Sequence, residues 1–69
     1  GAASSGSFPA SSLPELRVLV VDDSAYNRST ITQMLEARPG VKVIGRAVNG
    51  KEALKVAFET EPDAITLDL

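Results

Sequence analysis

The chain has 69 residues, 43% hydrophobic and 23% charged, which allows one domain at most, or a piece of one. Its net charge of -2 argues against nucleic acid as a partner, because phosphate binding calls for a basic field. With neither Cys nor His, disulfides, zinc–thiolate sites and imidazole acid–base chemistry are excluded, so any metal must be a hard, oxygen-bound cation such as Mg2+.

Residues 1–14, GAASSGSFPASSLP, are mostly Gly, Ala, Ser and Pro. Such a stretch buries too little apolar surface to offset its ordering entropy and reads as a disordered tail. The folded part is expected over residues 15–69. RVLVVDD (17–23) is a continuous Val-rich run, the pattern of a strand buried on both faces in a parallel sheet. In SAYNRSTITQMLEARPG, Asn27, Ile31, Met34 and Leu35 recur at helical spacing. Ser24 is placed to cap the helix start, and Pro39–Gly40 to stop it. VKVIGRAV (41–48) reads as a half-exposed edge strand, with Lys42 and Arg46 outward. A second helix follows, with Asn49 as its cap, Ala53, Leu54, Ala57 and Phe58 as its apolar stripe and Pro62 beyond its end. AITLDL (64–69) reads as a second buried strand bearing one acid, Asp68.

Strands joined through helices run parallel. Strands 1 and 3 read as interior and strand 2 as an edge, which selects the order 2-1-3 over 1-2-3. Right-handed crossovers then put the helices on opposite faces. The expected fold is α/β, the first β-α-β-α-β half of a flavodoxin-like doubly wound parallel sheet. Ligands in such sheets bind outside the carboxyl ends of the strands, where the winding direction reverses. Asp22 and Asp23 end strand 1 and Asp68 ends strand 3. Adjacent strands lie about 4.8 Å apart, so the three acids are expected within several ångströms of one another. At about 5 Å and an effective dielectric near 20, each pair of carboxylates repels by about 3 kcal/mol. A proton or a cation must relieve that, and an all-oxygen set suits Mg2+.

The alternatives for these residues are structural. A lone acid after a strand serves as a helix cap about as often as a ligand, but a pair joined by a third acid on the next strand favours a site. Arg28 reads as a solvated helix residue, with contact to the acid region as the second reading. Thr66 reads as packing. Lys51 and Lys55 read as an exposed face beside Glu52 and Glu59, and Asn49-Gly50 as a turn and cap. A dinucleotide fold would need G-x-G-x-x-G where DDSAYN stands, and a haloacid dehalogenase-type phosphatase would need D-x-D.

VLVVDDSAYNRSTITQML, AVNGKEAL and PDAITLDL together resemble the receiver domain of two-component response regulators, over essentially everything after the tail. DDSA with an Arg at residue 28, and PDAITLDL, are most similar to the receiver half of chemotaxis methylesterases. The resemblance implies that Asp68 is the phosphoacceptor, taking a phosphoryl group from a sensor histidine kinase or a small acyl phosphate. It implies that Asp23 and Asp68 ligate Mg2+ directly, and Asp22 directly or through water. Set against the family, the chain ends one residue after Asp68, ahead of a third metal ligand, a Ser/Thr and a Lys. A truncated receiver of this kind is expected to take phosphate poorly, to bind Mg2+ weakly or not at all, and to self-associate through a bare strand 3 edge, as a homodimer or larger assembly. A receiver-like module used only for protein binding is the alternative. No apolar run nears the roughly 18 residues of a membrane span, and the first residues lack a signal-peptide pattern, so a cytoplasmic location is expected.

Overall fold

The computed structural model describes residues 14–68, so the expected tail, apart from Pro14, lies outside the described residues, as does Leu69. Five elements follow in order: β1 (Leu16–Asp22), α1 (Ala25–Glu36), β2 (Val41–Ala47), α2 (Gly50–Thr60) and β3 (Ala64–Asp68). They form one parallel sheet in the order β2-β1-β3, the first half of a flavodoxin-like doubly wound fold.

β1 is the centre of the sheet, and its sequence explains why. Val18, Leu19, Val20 and Val21 are all buried, and β-branched residues suit a strand packed on both faces. Leu19 and Val21 pack with Ala47, Ala53, Val56 and Ala57, so this face is covered by α2. The alternate residues Val18, Val20 and Asp22 point to the other face, beneath α1.

Both helix starts follow the expected caps. Asn27 N–H donates to Ser24 Oγ at 3.3 Å, and Glu52 N–H to Asn49 Oδ1 at 2.8 Å. α2 ends at Glu61 in the left-handed region, with φ of 50°. Its last carbonyls, which lack partners within the helix, are taken by Arg17: Nη1 donates to the Glu61 carbonyl at 2.7 Å and Nη2 to that of Thr60 at 2.6 Å. Arg17 N–H also donates to Asp63 Oδ2 at 2.9 Å. One side chain of β1 thereby ties down the end of α2 and the entry into β3.

Three expectations need correction. In α1 the half-buried residues are Arg28, Ile31, Thr32 and Leu35, while Asn27 and Met34 are exposed. The inward stripe is displaced because the sheet lies under the 28–32–35 row. In α2, Leu54 and Phe58 are exposed at 64% and 83%, since the sheet reaches only as far as Ala53, Val56 and Ala57. β3 is not buried on both faces: Ile65 and Leu67 are exposed, because β3 is an outer strand here, paired only with β1 among the described residues. β2 is an edge as expected, but it carries an irregularity. Val18 pairs with Val43 and Leu19 with Gly45, so Ile44 is an extra residue opposite β1. Gly45 lets α2 come close, because a Cβ there would lie 2.8 Å from Val56 Cγ1.

Candidate functional site

Parallel pairing of β3 with β1 places Asp68 directly opposite Asp22, as the last pair of the ladder. Both side chains therefore point to the α1 face at the carboxyl ends of their strands. Asp23 is the next residue, on the bend between β1 and α1. The structure thus brings all three acids to one end of the sheet, though Asp23 and Asp68 are 45 positions apart in the chain.

Their environments differ. Asp22 is 1% exposed, while Asp23 and Asp68 are both exposed. Ser24 N–H donates to Asp22 Oδ1 at 2.9 Å, folding the chain tightly after the strand. Asp22 Oδ2 is buried and has no hydrogen-bond partner among the described residues. An orphaned polar atom of this kind costs about 1–3 kcal/mol unless something partners it. Among the described residues, no group of three acids is preassembled around a metal position. The three backbone positions converge as expected, but the side chains do not form a ready-made cage.

The donor set still fits a hard cation. It is all oxygen, one of its oxygens is buried and without a partner among the described residues, and the other two carboxylates are exposed at the same end of the sheet. Mg2+ needs only one or two carboxylates and keeps several waters, so a full protein cage is not required.

The residue that sequence reasoning underweighted is Arg28. Its Nη1 donates to the Asp22 carbonyl at 2.7 Å, in partly buried surroundings. The signal was available: Arg28 lies one helical turn beyond the cap Ser24, in a helix that starts just after two acids. Lys51 and Lys55 are exposed on α2, and Asn49 is a cap, as their spacing suggests. Thr66 Oγ1 is buried without a hydrogen-bond partner among the described residues.

The family described as response regulator receiver domain matches residues 18–69. The chain is 52% identical over 54 residues to a protein-glutamate methylesterase/protein-glutamine glutaminase of Myxococcus xanthus, covering 78% of this chain and 16% of that protein. It is 51% identical over 55 residues to another of the same name from Geobacter sulfurreducens, covering 80% of this chain and 15% of that protein. The chain therefore spans about one sixth of the length of these curated relatives. Among solved structures, the response regulator domain of Thermotoga maritima CheB matches with a TM-score of 0.77 and 45% identity, over 80% of this chain and 41% of that one.

Proposed function

The chain belongs to the response regulator receiver domain family, and from that membership we propose that it is a phosphoacceptor module whose acceptor is Asp68. The observation that carries the reading is the register pairing of Asp68 with Asp22, next to Asp23, at the carboxyl end of the sheet. Asp68 is the exposed carboxylate of that pair and so the one a bulky donor can reach. One of its oxygens forms the new P–O bond while the P–N bond of a phosphohistidine, or the P–O bond of an acyl phosphate, breaks. The electron pair leaves with the imidazole or the carboxylate. Asp23 and Asp68 would hold Mg2+ directly, with Asp22 directly or through water. When bound, that ion would neutralise charge on the transferring group. Asp22, buried and fixed by Ser24, is the anchored acid of the three, while Asp23 and Asp68 are exposed.

The donor proposed for the longer protein is a sensor histidine kinase, and the location is cytoplasmic. No described helix is long and apolar enough to cross a membrane. The acidic balance supports a role without nucleic acid. The 69-residue chain alone is proposed to take phosphate slowly, because among the described residues no basic side chain bonds to Asp68 to meet the phosphoryl oxygens. Incubation with acetyl phosphate and Mg2+, followed by intact mass, tests the reading. A small adduct fraction that needs Mg2+ is expected.

A second reading, self-association, rests on the outer edge of β3. An open edge is a template for another strand. Here it adjoins a groove lined by Gly50, Ala53, Leu54, Ala57, Ile65 and Leu67. Antiparallel pairing of two copies about Thr66 would set Ile65 opposite Leu67 and Asp68 opposite Ala64, so no like charges face each other. Light scattering on a sizing column should give a dimer or larger, and Leu67→Lys should return it to monomer. A compact wild-type monomer at micromolar concentration would sink this reading.

A further inference from the structure

Arg28 stands where helix electrostatics disfavours it. It lies at the start of α1, near the positive end of the helix dipole, and the first turn of α1 holds no acid to offset it. A local conflict of this kind marks a place where something else is being optimised.

The contacts show what. The Arg28 backbone N–H closes the first helical turn on the Ser24 carbonyl at 2.9 Å. Its side chain then doubles back, and Nη1 donates to the Asp22 carbonyl at 2.7 Å. Meanwhile Ser24 N–H donates to Asp22 Oδ1 at 2.9 Å. Asp22 is therefore held twice, by its carbonyl and by its carboxylate. The peptide between Asp22 and Asp23 is the one whose oxygen Arg28 grips, and the plane of that peptide sets where the Asp23 side chain hangs. The choice of acceptor matters as much as the contact. A guanidinium usually takes a carboxylate in a two-pronged grip, and such a grip on Asp22 would occupy the oxygens a cation needs. Here Asp22 Oδ2 stays without a partner among the described residues.

We propose that Arg28 is a positioning residue of the acid site: it locks the Asp22–Asp23 peptide through the backbone and leaves the Asp22 carboxylate open to a divalent cation. The cation part rests on the receiver reading above; the locking of the peptide does not. Replacing a group that orients metal ligands typically costs 10–100-fold in metal affinity. The lock itself is expressed as protection of the Ser24 amide, whose acceptor is the carboxylate of the pinned residue.

The test is amide hydrogen exchange and Mg2+ titration on the full chain, with Arg28→Met and Arg28→Lys. In the metal-free chain, Arg28→Met should speed exchange at the Ser24 amide about 10-fold or more while β1 amides stay protected. Its Mg2+ affinity should fall about 10–100-fold. Arg28→Lys should recover part of both, since an ammonium donates one bond without the rigid fork. If Arg28→Met does not fold, the comparison of Arg28→Lys with wild type carries the same reading at smaller amplitude. Unchanged Ser24 exchange in the variants overturns the proposal. So does Mg2+ binding that stays equal or tightens, because Arg28 would then only repel the ion. If the wild type binds no Mg2+, the cation part fails while the family assignment stands, and the exchange result alone decides the lock.

Discussion

Asp68→Asn should reduce phosphoryl labelling of the chain by acetyl phosphate roughly 100-fold or more, to background. The substitution keeps the shape of the side chain and removes the anionic oxygen that must form the bond to phosphorus. It also removes one of the three acids that would hold Mg2+, so the two effects compound. Asp22 cannot take over, because it is buried and already bonded to Ser24. Asp23 is the exposed acid that lies next to Asp22, on the bend after β1. Labelling that survives Asp68→Asn and vanishes in Asp23→Asn would move the acceptor to β1. Rapid, complete labelling of the wild type would instead overturn the proposal that the chain alone takes phosphate slowly.

Leu19→Ala should destabilise the fold by about 3–5 kcal/mol, the range for emptying a fully buried Leu site. Leu19 is 0% exposed at the centre of the middle strand, against Ala47, Ala53, Val56 and Ala57. Small neighbours such as these cannot swing in to fill the gap. A fold of this size holds about 3–8 kcal/mol of stability at usual per-residue values, so most of it would go. The melting midpoint should fall by about 15–30 °C, or the cooperative transition should vanish. Ile65→Ala, on the half-exposed edge strand, should cost far less. A shift of a few degrees for Leu19→Ala, comparable with Ile65→Ala, would contradict the placement of the core on β1.

Much of this was legible from residue order. The unbroken run Val18–Val21 could only be a strand covered on both sides, and it is the centre of the sheet. Once β1 is central and strands are parallel, the pairing of Asp22 with Asp68 follows from topology, not from any local pattern. What was illegible depends on neighbours. Leu54 and Phe58 belong to an apolar stripe by spacing, but spacing does not say how far the sheet extends beneath them. Ile65 and Leu67 were misjudged for the same reason. In α1 so few residues are strongly apolar that hydropathy cannot separate the 27–31–34 row from the 28–32–35 row. The inward row uses the long stem of Arg28 and the methyl group of Thr32 instead. The extra residue at Ile44 and the grip of Arg17 on Thr60 and Glu61 leave no sequence signal, since each depends on parts of the chain brought together only by folding.

The central claim is that acids from β1 and β3 form one cation site. Titrating Mg2+ into isotopically labelled chain while following backbone amides tests it most directly. Residues Asp22, Asp23 and Ser24 should shift together with Leu67 and Asp68 along a single binding curve, and Asp68→Asn should flatten the response at both strand ends. Shifts confined to one strand end, two separate curves, or a response unaltered by Asp68→Asn would contradict it.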